Sequence, residues 1–298
     1  MDKFDSLRAF AQVIESGGFA AASRKMGLSR SQVNKLVINL EDDLGVQLLH
    51  RTTRQVTPTD TGRAFYQRCT AILGDLADAE QAVMRQHSQP QGTLRVNAPM
   101  SFGIQHLAPA LGDFLARYSE IQVELTLSDR FIDPNEEGFD VTLRISAPPT
   151  AARLVVQPVA PVRRVLCASP GYLATQEAIA HPQDLAHHSC LHYGHLSNKH
   201  TWQLTGPDGE HAVPVSGALC ANNGDALRAI ALRGLGIALL PTFLVHDDLR
   251  QHKLEIVLPD YAPSSLGVYV LYPVNRHLSA KIQQFSDFLV ARFSDVDW

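Results

Sequence analysis

Thiols are scarce in this chain: four cysteines, Cys69, Cys167, Cys190 and Cys220, stand far apart in 298 residues. With no C-x-x-C pair among them, neither a disulfide framework nor a thiolate metal knuckle is expected. The N-terminal MDKFDSLRAF has no apolar core of the secretory kind. No apolar run approaches the roughly 18 to 20 residues of a membrane span. A soluble, cytoplasmic protein without a membrane partner is therefore expected. G-x-S-x-G and H-E-x-x-H are both missing, and no acid/base pair stands at informative spacing, so no catalytic residue is nominated. GLGIAL (234–239) lacks the third glycine of a dinucleotide fingerprint and runs from helix into strand rather than strand into helix, so no cofactor is expected. His181, His187, His188, His192, His195 and His200 surround Cys190, yet adjacent His187 and His188 point apart in helix or strand, and no metal is expected there.

What is present suits two or three domains: 45% hydrophobic residues and a formal net charge of -4. Residues 1–92 carry 11 basic and 10 acidic side chains, and residues 93–298 carry 15 and 20. That difference is too small to decide anything alone. Spacing is more telling. Arg24, Lys25, Arg30 and Lys35 fall in a stretch with no carboxylate, and Glu41, Asp42 and Asp43 follow. Val33, Leu36, Val37, Leu40 and Leu44 repeat as one buried helical stripe, and Ser29 with Gln32 forms a capping box, which predicts a helix over 30–44. Its polar face offers Arg30, Ser31, Gln32, Asn34 and Lys35 to DNA; Asn34 suits adenine, and Arg30 suits guanine or phosphate. Acids near a helix C-terminus oppose the macrodipole, so helix stability does not account for the segregation, whereas a recognition helix entering the major groove by its N-terminal end does.

Upstream, Phe4, Leu7, Ala11 and Ile14 predict a helix closed by Gly17 and Gly18, and Phe19 to Lys25 a short one closed by Gly27. The order is that of a helix-turn-helix. LLHRTTRQVTPT (48–59) reads as a wing with Arg51, Thr52, Thr53 and Arg54 at a basic tip, Arg54 holding backbone phosphate. A three-helix bundle that packs on a partner is the alternative. From Thr59, an N-cap, Phe65, Cys69, Ile72, Leu76, Ala79 and Val83 follow an a/d seam that points to a homodimer. A helix lying on its own C-terminal domain would show the same stripe. Cys69 suits a small core residue better than a redox thiol.

GGFAAASRKMGLSRSQVNKLVINLEDDLGVQLLHRTTRQVTPTDTG resembles the DNA-binding region of LysR-type transcriptional regulators, from the first helix through the wing. Members often have Ser at the place of Gly18 and a Ser-Arg pair at Asn34-Lys35, departures that bear on the operator sequence. Beyond the HSQPQG break (87–92), β-prone runs alternate with helical patterns, as in TLRVN, VELTL, VTLRI, GIALL and VYVLY, and imply α/β layers. LRVNAPMSFG, EGFDVTLRIS, APVRRVLCASPGYLA and GLGIALLP resemble the effector-binding domain of the same family.

The resemblance implies an α/β protein with an N-terminal all-α winged helix-turn-helix and a two-lobed, periplasmic-binding-protein-like effector domain. The division is 1–58 for DNA binding, 59–87 for a linker helix, 88–92 for a hinge and 93–298 for effector binding. Lobe I takes 93–161 and 268–298, and lobe II 162–267. Double-stranded DNA, a small-molecule effector, the chain itself as homodimer and homotetramer, and RNA polymerase are the implied partners. Strand ends and helix starts nominate Met100, Ser101, Phe102, Arg144, Ser146, Asn222 and Pro241 for the effector. Asn222 serves equally as a helix cap. Arg144 suits a carboxylate on the effector, or pairs with Asp140 or Asp129. A small-molecule-binding or catalytic α/β protein whose N-terminal helices only oligomerise remains the competing reading.

Overall fold

A computed structural model of the chain describes residues 2–51, 56–84, 90–130, 138–150, 153–194, 200–276, 279–294 and 296, with backbone alone at 75, 78, 79, 81–84 and 275. The chain divides into two compact units, Met1–Ser88 with Leu278–Ala280, and Gln89–His277 with Lys281–Trp298.

The first unit runs α1 (Lys3–Glu15), α2 (Phe19–Met26), α3 (Arg30–Leu44), β1 (Leu49–Arg51), β2 (Val56–Pro58) and α4 (Asp60–Met84). Local chemistry sets the start of α3: the Ser29 hydroxyl accepts the Gln32 N–H at 3.2 Å, and Gln32 Oε1 accepts the Ser29 N–H at 2.8 Å. Gly45 ends it in the left-handed region at φ 67°. Val33, Leu36, Val37 and Leu40 are buried against Leu7, Phe10 and Leu48. Leu44, at 37% exposure, departs from the expected stripe because α3 stops there. Phe4 is exposed for the same reason at the start of α1. β1 and β2 pair antiparallel, Leu49 opposite Pro58, as the base of a wing.

The start of α4 corrects the expected seam. Cys69 is 1% exposed in the core with Phe10, and the rings of Phe10 and Phe65 lie 5.8 Å apart. The first turns of α4 thus cover an apolar face left open by α1, and Phe65 and Cys69 are spent within the unit. Ile72 is 51% exposed and Leu76 half-buried, while the Ala79 and Val83 side chains lie outside the described residues.

In the second unit the elements are β3 (Gly92–Ala98), α5 (Met100–Phe102), a π-helical turn (Gly103–Leu107), α6 (Ala108–Arg117), β4 (Ile121–Leu127), β5 (Val141–Ser146) and β6 (Leu154–Val162). β7 (Arg164–Ala168), α7 (Pro170–Leu173), a 3-10 turn (Pro182–His187), β8 (Cys190–Tyr193), β9 (His200–Gly206), β10 (Gly209–Val215) and β11 (Cys220–Ala221) follow. The chain ends with α8 (Gly224–Ala231), β12 (Ile237–Pro241), α9 (Thr242–Arg250), β13 (Glu255–Val257), β14 (Ala262–Pro263), β15 (Leu266–Pro273) and α10 (Ala280–Phe293). Among the described residues these strands build sheets in the orders β4-β3-β5-β15-β6, β11-β8-β12-β7-β13 and β10-β9-β14. The first sheet and its helices bury Val96, Phe102, Phe114, Leu143 and Phe285 in one core; the second is packed on both faces, with Leu166, Cys190 and Ile237 on one side and Cys167, Leu227 and Ala238 on the other. Each five-stranded sheet centres one lobe, and their strand ends open onto a shared cleft.

Gly62 in the first turn of α4 offers a clean test of how tightly helix and wing meet. A Cβ there would lie 2.0 Å from the Leu48 carbonyl oxygen, which also accepts the Thr59 N–H at 2.9 Å. Helix propensity alone favours Gly→Ala by about 1 kcal/mol, but forcing atoms into a packed site costs about 1–3 kcal/mol. Gly62→Ala is expected to lower the stability of the full chain in urea denaturation; unchanged or raised stability would show that α4 does not abut β1.

Candidate functional sites

The polar side of α3 carries Arg30, Ser31, Gln32 and Lys35, all exposed. Gln32 has its Oε1 engaged in the cap, and its amide nitrogen remains the outward donor. Asn34 differs from its neighbours: it is half-buried, and its Oδ1 accepts Arg51 Nη1 at 2.8 Å. Arg51 also donates from Nη2 to Glu41 Oε2 at 2.5 Å, and its guanidinium lies 5.3 Å from the centre of the Phe19 ring. Glu41 Oε1 meanwhile accepts the N–H groups of Leu48 and Leu49 at 2.8 and 3.0 Å. Glu41 therefore fastens the wing to α3, a role that an acid placed by its distance from DNA did not foretell. Its only sequence signal is a carboxylate shortly before a β-prone Leu-Leu pair. Thr52, Thr53 and Arg54 lie outside the described residues.

Within the second unit, a cavity of about 570 Å³ opens between the two lobes. Ser101, Phe102, Arg144, Ser146 and Pro241 line it. Met100 does not: its side chain is 41% exposed, and the residue contributes its backbone N–H to Asp129 Oδ1 at 2.9 Å. Asn222 is exposed and outside the lining; the cap of α8 is Asn223, whose Oδ1 accepts the Ala226 N–H at 3.1 Å. Because α8 begins at Gly224, the capping position falls one residue later than expected.

Asn223 reaches across the cleft. Its amide donates to Asp129 Oδ2 at 2.8 Å and to the Ser101 hydroxyl at 3.5 Å, and Gln105 bonds Asp225 at 3.2 Å nearby. Arg144 donates from Nη1 to Asn97 Oδ1 (2.8 Å) and the Leu143 carbonyl (3.0 Å), and from Nη2 to the Arg130 carbonyl (3.3 Å). Its expected pairing with Asp140 gives way to other partners, since buried Asp140 takes Arg276, Lys281 and the Arg95 N–H. The alternative with Asp129 gives way likewise, that carboxylate being held by Met100 and Asn223.

Asp129, Arg164, Tyr193 and Trp202 also line the cavity and were not nominated from sequence. Arg164 donates to the Ser264 carbonyl at 2.7 Å, and burial pulls its guanidinium below its usual pKa without threatening its charge. Phe102, Trp202 and Phe243 supply apolar walls. The buried thiols offer no nucleophile: burial pushes Cys69 up to about 11 and Cys167 and Cys190 up to about 12.

Residues 4–63 match the family described as "Bacterial regulatory helix-turn-helix protein, lysR family", and residues 87–294 match "LysR substrate binding domain". The chain belongs to the LysR family of transcriptional regulators. An HTH-type transcriptional regulator of Haemophilus influenzae is 35% identical over 286 residues, covering 96% of this chain and 99% of that protein. PtxR of Pseudomonas aeruginosa is 33% identical, covering 95% and 90%. The solved structure of CrgA from Neisseria meningitidis, a LysR-type transcriptional regulator, superposes with a TM-score of 0.61 at 32% identity, covering 96% and 97%. As a LysR-type regulator, this protein binds DNA through its N-terminal helix-turn-helix and an effector through its C-terminal domain. The exposed face of α3 lies in the first matched region, and the cleft lies in the second.

Proposed function

We propose that this LysR-type regulator reads its operator with Arg30, Ser31, Gln32 and Lys35 of α3 in the major groove, and sets Thr52, Thr53 and Arg54 of the wing along the phosphates. The sidedness of α3 carries this reading: one face is core, and the other presents donors over its first two turns. Asn34 faces bases through its amide nitrogen, its oxygen being held by Arg51. Arg51 is a positioning residue, tying the wing to the recognition helix. Residues 1–58 serve DNA, 59–87 form the linker, 88–92 the hinge and 93–298 the effector domain. The protein works in the cytoplasm without catalysing a reaction, and acts from DNA on RNA polymerase.

Fluorescence anisotropy on DNA upstream of its own gene and on a scrambled duplex, over a series of salt concentrations, tests the DNA reading. Arg54→Ala is expected to lower the salt slope by about one unit. Equal affinity for both duplexes at every salt concentration would overturn sequence-specific reading.

The effector is a small organic anion with an apolar body, held in the cleft by Arg164. The Arg164 guanidinium donates to an uncharged oxygen, the Ser264 carbonyl, and lines the cavity, so its charge is available to an acid. Thermal shift with a panel of carboxylic acids and their matched amides is expected to select acids, a ligand of the folded form raising its melting temperature. Arg164→Gln should cost about 1.5–3 kcal/mol of that binding, roughly 10- to 100-fold. A panel in which amides bind as well as acids would refute the assignment.

Self-association as homodimer and homotetramer uses the half of α4 beyond its own core contacts, from Ile72 and Leu76 toward Ala79 and Val83. Ile72→Glu places a charge in that apolar seam and is expected to reduce the sedimenting mass. An unchanged mass removes this part of α4 from the interface.

A further inference from the structure

His181, Asp208 and His211 stand apart from both sites described above. We propose that they form a binding site for a divalent transition-metal ion, zinc foremost, beside the β9–β10 ribbon of the second unit. His181 Nε2 lies 2.9 Å from Asp208 Oδ2, and His211 Nε2 lies 3.0 Å from Asp208 Oδ1. One donor atom from each residue falls within 4.8 Å of the others. The two imidazoles meet edge to face, centroids 4.9 Å apart at 87°. Their nitrogens therefore converge on one carboxylate.

Two separately anchored pieces of backbone hold the group, the segment before the 3-10 turn and the β9–β10 hairpin. His181 precedes the 3-10 turn, with its N–H and that of Ala180 donating to the Asp184 carboxylate at 2.8 and 2.9 Å. Asp208 sits in the tight turn of the β9–β10 hairpin, whose ladder closes with Gly206 opposite Gly209, and His211 stands opposite Leu204. The Tyr261 ring packs against both imidazoles, 5.8 Å from His181 and 5.6 Å from His211, and limits their rotation.

The donor set selects the ion. Two imidazoles and one carboxylate suit zinc, nickel, cobalt or copper, and give magnesium and calcium too few oxygens. Bonds of about 2.0–2.2 Å to these donors require the cluster to draw in slightly around the ion. Asp208 and His181 are partly exposed, so water completes the shell. Coordination through Nε2 places each imidazole proton on Nδ1. At His181 this gives up the 3.4 Å bond accepted from the Gln183 N–H, a long bond whose loss costs little. With three protein ligands and an open position, the site binds less tightly than a closed structural zinc site.

Isothermal titration of the full-length chain with zinc chloride tests the site, with magnesium chloride as the control ion. Saturable binding of zinc, weakened roughly tenfold or more in both Asp208→Asn and His211→Gln and retained in His187→Gln, is the expected result. Cobalt should give visible d–d absorption that the same two variants lose. Both variants are checked for folding by circular dichroism. Zinc binding that is absent, or that is equal in parent and both folded variants, overturns the proposal and leaves a hydrogen-bonded clasp on the hairpin. Equal heats for magnesium and zinc overturn it as well.

Discussion

A carboxylate that accepts two backbone N–H groups and a guanidinium at once is a strong local constraint. Each bond is charge-assisted, and removing the acid would leave three donors to find new partners. Glu41 holds Leu48, Leu49 and Arg51 in this way, and the surface chemistry of the first unit is arranged around it. Through Arg51 the same network reaches Asn34 and the Phe19 ring, so α2, α3 and β1 share one fixed geometry. Arg30 and Lys35 stand clear of it. The unit thus separates charges that set shape from charges available to nucleic acid, though all carry the same formal value in a composition count.

A related division governs the cleft. Arg164 is held by the Ser264 carbonyl, an acceptor that fixes a guanidinium without neutralising it. In a partly desolvated pocket such a cation interacts with an acid more strongly than it could at the surface. The apolar residues around it exclude water and restrict the shape of what enters.

Local signals proved legible, and contacts across the chain did not. The Ser29–Gln32 box is visible because cap, helix start and stripe lie within a few residues of one another. Ser101 and Arg144 were found because they sit at the ends of readable strands. Asn222 was nominated in place of Asn223 because two adjacent asparagines offer the same cap, and only the observed start of α8 separates them. The α4 stripe announces an apolar face without saying what covers it; Phe65 and Cys69 turn inward and Ile72 outward on the same periodicity. Trp202 and the pairing of His181 with Asp208 and His211 depend on a β9–β10 hairpin too irregular in polarity to be read as two strands. The histidine-rich segment was judged on its internal spacing, whereas its one member in the cluster finds both partners outside it.

The cleft also contains an acid of its own. The Asp129 carboxylate rests on the Met100 N–H at the start of α5 and on the Asn223 amide from the opposite lobe, groups well suited to an incoming carboxylate. The lobes are thereby tethered to one another through Asp129, and an effector carboxylate competes with it for these donors. Any effector that used these same donors would gain only the margin by which it outbids Asp129, and would leave that residue's charge seeking solvent. Binding strength and switching power are then separate quantities: the second depends on how differently the ligand treats the tethered and released arrangements, whatever its total affinity. A tether of this kind sets a threshold, below which the cleft can be filled while the regulator's state stays as it was.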